Sequence, residues 1–322
     1  MHKSFYRLLF SLMLLMIVFF PYDVCAEENS QTASDYYNRG LVCYSKGQYD
    51  LAILNYDKAI ELNPQYSYAY NNRGNVYYSK GQYDIAILDY SKAIELDPRN
   101  AFAYNNRGGA YCFKGQYGLS ILDYNKAIEL NPQKADFYHN CGLAYSSKGQ
   151  YDLAILNYDK AIELNPQYAD AYFDRGFTHS SQKQYDLAIL DYNKVIELNP
   201  QYAKAYNNRG NGYYSKGQYE LAILDYNKAI ELNSQYADAY YDRGLAYSSQ
   251  GQYDSAILDY NKAIELNPQY AYAYYGKGNL LSFLRRNKEA IECFYKFLQY
   301  AKPKDQWIEK GKQRIRDLGG AI

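Results

Sequence analysis

The sequence predicts an all-α chain, a right-handed α-solenoid (superhelix) of stacked antiparallel helix pairs. Three observations lead there. Pro64, Pro98, Pro132, Pro166, Pro200 and Pro268 lie on a 34-residue lattice, with Ser234 in the remaining slot. Gly40, Gly74, Gly108, Gly142, Gly176, Gly210, Gly244 and Gly278 follow the same step without a gap. The 322 residues hold 44 tyrosines against one tryptophan, a bias expected when a tyrosine-rich unit has been copied. A period of this length marks repeats that share a continuous core, and it overrides a domain count taken from length.

The N-terminus stands apart. His2, Lys3 and Arg7 precede an apolar run from Leu8 to Phe20, broken only by Ser11; Pro21 follows, and Val24-Cys25-Ala26 places small residues where a signal peptidase reads. This is the order of a secretory signal, so residues 1–26 are expected to be removed and the mature chain to begin at Glu27. The run from 8 to 20 is shorter than the roughly 20 residues that cross a bilayer. Retention of residues 8–20 as a membrane anchor is the alternative. Tyr22-Asp23-Val24 lacks the small residues that a lipoprotein site at Cys25 would need.

The repeats run 33–66, 67–100, 101–134, 135–168, 169–202, 203–236, 237–270 and 271–304. A tail follows in which Trp307, Ile308, Ile315 and Leu318 recur at helical spacing. Residues 305–322 are therefore expected to cap the last repeat.

The second repeat shows how each unit should fold. Tyr70, Gly74 and Tyr77 form one helical stripe. Lys80-Gly81-Gln82 breaks it, Gly81 suiting a left-handed helix stop. Asp84 is expected to cap a second helix carrying Ala86, Tyr90, Ala93 and Ile94, and Pro98 to drive Asp97 out of helical conformation. Small Gly74 and Ala86 let the two helices approach, and tyrosines fill the space between repeats. One hairpin cannot bury its apolar face alone; stacked neighbours can.

Comparison among repeats adds a pairing. Arg73–Asp89, Arg107–Asp123, Arg175–Asp191, Arg209–Asp225 and Arg243–Asp259 occur together at repeat positions 7 and 23. The fourth repeat replaces both, with Cys141 and Asn157, while the first keeps Arg39 opposite Asn55. These are expected to be ion pairs joining the two helices of a hairpin.

Composition excludes several function classes. Thirty-five basic and thirty-five acidic residues balance with no basic block, so nothing marks a nucleic-acid or anionic-lipid surface. Cys43, Cys112, Cys141 and Cys293 have irregular spacings that fit neither a zinc pattern nor a redox pair. They are expected to be core or surface thiols, with a Cys112–Cys141 disulfide as a lesser alternative. Beyond residue 26 the only histidines are His139 and His179, expected to be one on the surface and one in the core. Glu61, Glu95 and Glu129 near the ends of second helices read as solvated or capping charges. Without convergent acids, bases, nucleophiles or metal ligands, no catalytic site, cofactor or metal is expected.

Tyr70, Gly74, Tyr77, Ala86, Tyr90, Ala93 and Pro98, with their counterparts in the other repeats, resemble the tetratricopeptide repeat over residues 33–304. Departures are local: Ser120 and Val195 replace alanines, His179 a tyrosine, and the eighth repeat carries Leu281, Phe294 and Phe297. The resemblance implies a concave groove lined by the first helices through repeat positions 2, 5, 6, 9, 12 and 13. Carried onto this chain, these give Asn38, Asn72, Asn106, Asn140 and Asn208 at position 6. Position 5 gives Asn71, Asn105, Asn207, Phe173 and Tyr241, and position 9 gives Asn75 and Asn211. Tyr68 and Phe102 stand at position 2 and Phe113 at position 13. An amide both donates and accepts, so such a row can pair with a peptide backbone whatever its sequence; aromatics add contact area at low entropic cost. The pattern resembles the asparagine ladder of the O-linked N-acetylglucosamine transferase repeats and of armadillo proteins. The alternative is that the asparagines hydrogen-bond neighbouring repeats. The lysine clamp by which relatives hold a C-terminal carboxylate is missing, since Asp136, Asp170 and Asp238 outnumber Lys204 at position 2.

The resemblance implies a non-enzymatic scaffold whose partner is a protein or peptide, with no nucleic acid and no small-molecule substrate. With the leader segment, the expectation is an exported protein, periplasmic or secreted, that binds extended polypeptide in its groove. The alternative is a structural assembly factor of an envelope or secretion complex, acting through its ends or convex face.

Overall fold

The computed structural model describes residues 32–321; the expected signal segment, with Cys25, lies outside the described residues. Among the described residues there are seventeen α-helices and no strand. Two compact units divide after Gly149. The first holds α1 (Ala33–Ser45), α2 (Tyr49–Leu62), α3 (Ser67–Ser79), α4 (Tyr83–Leu96), α5 (Ala101–Phe113), α6 (Tyr117–Leu130) and α7 (Ala135–Ser147). The second holds α8 (Tyr151–Leu164), α9 (Ala169–Ser181), α10 (Tyr185–Leu198), α11 (Ala203–Ser215), α12 (Tyr219–Leu232), α13 (Ala237–Ser249), α14 (Tyr253–Leu266), α15 (Ala271–Phe283), α16 (Asn287–Tyr300) and α17 (Ile308–Asp317).

Within each unit the helices pair as hairpins, and each hairpin packs on the next. The pairing rests on a tyrosine at position 24, as in Tyr56, Tyr90, Tyr192, Tyr226 and Tyr260, all fully buried. Alanines at positions 20 and 27, such as Ala86 and Ala93, are buried on either side of it. The ring lies on the glycine at position 8 of the facing helix. A Cβ added to Gly74 would stand 2.7 Å from Cε1 of Tyr90, closer than such atoms pack, so glycine is what lets the helices meet. In the eighth repeat Phe294 takes the tyrosine's place over Gly278.

The turn inside each hairpin that lies within one unit is a Schellman motif. The amide of Gln82 donates to the carbonyl of Tyr77 at 2.8 Å and that of Gly81 to Tyr78 at 2.9 Å. Gly81 is left-handed at φ 72°, as expected. Lys183 (φ 61°) and Arg285 (φ 60°) hold the same conformation without glycine's freedom. Because the second helix starts where this motif ends, it has no room for a capping residue. Its N-cap is Gln82, whose side chain makes no capping bond. The expectation for Asp84 is corrected accordingly: it sits within the first helical turn and pairs with Lys114 of the next repeat.

The second helix ends where Asp97 takes φ −138° and ψ 88° before Pro98. Asn233 does the same (φ −145°, ψ 92°) before Ser234, so proline is not required. What these ends share is an Asx turn: Oδ1 of Asp97 accepts from the amide of Arg99 at 3.1 Å, and that of Asn233 from Gln235 at 3.0 Å.

Helix α17 packs on α16, with Ile315 fully buried beside Leu281 and Phe294, and Trp307 against Tyr275 at 5.4 Å between ring centroids. The disulfide alternative is corrected, since Cys112 and Cys141 are free thiols. Both pack near Tyr124, and burial raises their pKa, that of Cys141 to about 12. His139 and His179 are both buried, against the expectation of one on the surface. Glu61, Glu95 and Glu129 are exposed and pair with Lys58, Lys92 and Lys126 three residues earlier.

Two substitutions should move thermal unfolding in opposite directions. Gly74→Ala drives a methyl into Tyr90 and should cost about 1–3 kcal/mol. Lys183→Gly relieves a left-handed side chain and should gain about 0.5–1 kcal/mol.

Candidate functional site

The first helices set out two polar systems, one between the helices of a hairpin and one along the inner row. The first is built on the position-7 arginines. Arg73 holds Asp89 in a bidentate pair, Nε to Oδ2 at 2.8 Å and Nη2 to Oδ1 at 2.6 Å. Arg107–Asp123, Arg175–Asp191, Arg209–Asp225 and Arg243–Asp259 repeat it with distances of 2.5–3.0 Å. All five expected pairs are present. The free Nη1 then reaches position 25 of the preceding repeat: Asp57, Ser91, Asp159, Asn193 and Asn227 accept from these arginines in turn. Each guanidinium also lies over a tyrosine three residues earlier, as Arg73 over Tyr70 at 5.4 Å. One arginine therefore ties three helices in two repeats, the third tie being invisible in the sequence.

Burial raises the carboxyls of Asp89, Asp191 and Asp225, and the hydrogen bonds and charge of their arginines offset this only in part. Burial would lower the Arg73 guanidinium, yet Asp89 and Asp57 hold it above its ordinary value. The two partners thus point in opposite directions. The physical reading is a pair of modest net worth that is costly to break on one side only, because the survivor stays buried. In the first repeat Asn55 instead donates to the carbonyl of Leu51 at 2.7 Å. Cys141 donates to Asn125 at 3.6 Å in the arginine's place.

The second system contains the asparagines. Nδ2 of Asn72 donates to Tyr37 Oη at 2.8 Å, Asn106 to Asn71 and Asn75 at 3.2 and 3.0 Å, and Asn140 to Asn105 at 2.9 Å. In the second unit Asn207 donates to Asp242 at 2.9 Å. Position 6 of one repeat therefore bonds position 5 of the repeat before it. The phenols of Tyr90 and Tyr226 close the network by donating to Asn75 and Asn211 at 2.9 and 2.7 Å. Bonding between repeats, the alternative weighed for these amides, is realised in the structure.

Apart from half-buried Asn105, the position-5 residues of the candidate row face inward rather than lining an open surface. Asn71 and Asn207 are buried. Phe173 packs on Tyr192 and Tyr202, and Tyr241 on Tyr260 and Tyr270, at centroid distances of 5.1–6.1 Å. Asn38, Tyr68, Phe102 and Phe113 are exposed, while Asn72, Asn75, Asn105, Asn106, Asn140, Asn208 and Asn211 are half-buried. Phe113 stacks on Tyr83 at 5.2 Å and meets Tyr78 edge-on at 5.5 Å.

In the first unit these residues enclose an open cleft of 340 Å³. Asn75, Asn105, Asn106 and Asn140 line it with Tyr44, Tyr78, Tyr90, Tyr124 and Gly109. Every polar group in this lining is an amide or a phenol, and none is charged. Such a lining matches neutral donors and acceptors, above all a main chain. Among the described residues no group of His, Cys, Asp and Glu is placed to hold a metal ion. No helix among them is long and apolar enough to cross a membrane.

Sequence profiles described as TPR repeat match residues 40–81, 74–112, 110–149, 142–183 and 210–251. Others described as tetratricopeptide repeat match 169–202 and 237–270, and 191–223 and 259–292. The chain belongs to the tetratricopeptide repeat family. Tetratricopeptide repeats are typically non-catalytic scaffolds that bind protein or peptide partners. No curated protein matches this one. Among solved structures, a tetratricopeptide repeat protein from Parabacteroides merdae is similar, at 22% identity and TM-score 0.61 over 78% of this chain and 100% of that one. The C-terminal part of a TPR repeat-containing protein from Cytophaga hutchinsonii matches at 22% identity and TM-score 0.60, over 74% and 98%. The APC/C hetero-tetramer Cut9-Hcn1 matches at 17% identity and TM-score 0.61, covering 88% of this chain and 55% of that one. At these identities the likeness is one of fold.

If Arg107 and Asp123 form one buried unit, a double-mutant cycle by denaturant unfolding should return a coupling of about 1–3 kcal/mol. Additive single substitutions would contradict this.

Asp242 yields a pH-dependent prediction. Burial pushes its carboxyl up to about 6, against the opposing hydrogen bonds of Asn207 and Asn211, and Asp238 adds to the rise. The folded chain therefore holds this proton more tightly than the unfolded chain, whose aspartates titrate near 3.9. The contribution to stability is complete below about pH 4 and is lost as pH rises through about 6. Asp242→Asn, which places there the amide found at Asn72, Asn106, Asn140 and Asn208, should leave stability unchanged below pH 4 and raise it at pH 7.

Proposed function

We propose that this chain is an exported, non-catalytic tetratricopeptide scaffold, periplasmic or secreted, that holds an extended segment of a partner protein along its first helices. The observation that carries the reading is the uncharged cleft of the first unit, where four amides and four phenols from successive repeats converge. Exposed Phe102 and Phe113 supply apolar contact on the same helices, Ala101–Phe113 and its neighbours. Export is supported by Lys3 and Arg7, the apolar run 8–20 and Ala26. Membership of an envelope complex is compatible with that address.

The amides play a double part in this reading. Asn71, Asn105 and Asn106 hold repeats in register, and this fixes the half-exposed faces of Asn106 and Asn140 toward the cleft, with Asn72 held to Tyr37 one repeat earlier. Replacing all three by alanine would lower stability along with affinity. The aromatics are the cleaner test. Partner captured from envelope extracts should bind Phe102→Ala/Phe113→Ala about 10- to 100-fold more weakly by calorimetric titration, with little change in unfolding midpoint. Unchanged affinity would remove the groove from the account. Intact-mass measurement of the exported protein should show a chain beginning at Glu27; one beginning at Met1 and held in the membrane would overturn the address.

A further inference from the structure

The second helices carry a surface that the groove does not use. In the second unit, Leu156, Leu190, Leu224 and Leu258, all at repeat position 22, are 63–69% exposed. Leu187 and Leu221, three residues before two of them, are 46% and 43% exposed. A single exposed leucine needs no explanation. A leucine returned to the same exposed position in four successive repeats, until Glu292 takes its place in the last, makes a row, and exposed apolar surface repeated in this way marks an interface.

Charge tells what fits it. Positions 18, 22 and 26 are four residues apart and share one helical face. Along that face the chain reads acid, leucine, lysine: Asp186, Leu190, Lys194 and then Glu220, Leu224, Lys228. We propose that this stripe is the interface between two copies of the chain, related by a two-fold axis with the facing helices antiparallel. A half-turn about the leucine lays lysine against acid and acid against lysine, while parallel helices would set like charges together. Any other partner would have to reproduce the repeat spacing, which a second copy carries by construction. The formal net charge of zero leaves no long-range repulsion between copies.

The size is also adequate. The exposed leucine surface of the second unit amounts to about four whole side chains, on the order of 400 Å². A standard interface takes about 800 Å² per partner, a little over half of it apolar. The charges at positions 18 and 26 already have exposed partners within the chain, as Asp186 with Lys216 and Lys194 with Glu197. They act at the rim and set orientation, while the leucines supply the affinity. The groove lies on the first helices, so this inference does not depend on the function proposed above.

Sedimentation velocity of the full chain over a concentration series tests it. The wild type should form a dimer, and Leu190→Lys/Leu224→Lys should raise its dissociation constant about 100-fold. Leu190→Ala/Leu224→Ala, which adds no charge, serves if circular dichroism shows that the lysine variant has lost helix. Asp186→Lys/Glu220→Lys and Lys194→Glu/Lys228→Glu should each weaken the dimer, and the four changes together should restore it. A monomeric wild type, or a dimer that the leucine substitutions do not move, would overturn the proposal.

Discussion

The structure depends on an arginine that is never satisfied within its own hairpin. At position 7, Arg73, Arg107, Arg175, Arg209 and Arg243 each give two hydrogen bonds to a buried aspartate of their own repeat and a third to the repeat before. A guanidinium suits this because its donors are fixed in a planar fork, so one group can hold three helices at set angles. Burying a charge between repeats costs stability unless every partner is present. A missing or misregistered neighbour therefore leaves one guanidinium donor without its acceptor, which couples repeats that share otherwise ordinary tyrosine and alanine packing. The asparagines do the same without charge along the inner row.

Much of this was legible because the chain carries eight copies of one experiment. The period, the helix pair, the left-handed Gly81 and the Arg–Asp pairing all follow from positions that stay constant or change together. The arginine's third partner was not legible, since any acceptor serves at position 25 and aspartate, serine and asparagine all occur there. Nor was the burial of Asn71 and Asn207. An asparagine reads as a surface residue, and only stacking shows that its partner arrives from 35 residues away. Asp84 was misplaced as a cap because the Schellman turn ends two residues earlier and starts the helix at once.

For the candidate site the sequence pointed to the first helices and mixed two kinds of position. Position 5 is a packing site, open only at Asn105, that accepts either an amide or an aromatic ring, so Phe173 and Tyr241 are bracing for the wall rather than its surface. Positions 2 and 13 remain open, as Tyr68, Phe102 and Phe113 show. Buried polar networks of this kind are rigid when fully bonded, and a rigid wall loses little entropy on binding. The same amides that keep the repeats in register would thus prepare the surface for a flexible partner.

The most direct test is hydrogen–deuterium exchange of the chain with and without its captured partner. The account predicts that new protection is greatest on the first helices of the first unit, Ser67–Ser79, Ala101–Phe113 and Ala135–Ser147, and smaller on Tyr83–Leu96 and Tyr117–Leu130, which reach the cleft only through Tyr90 and Tyr124. Protection confined to the second helices, or to Ile308–Asp317, would contradict it.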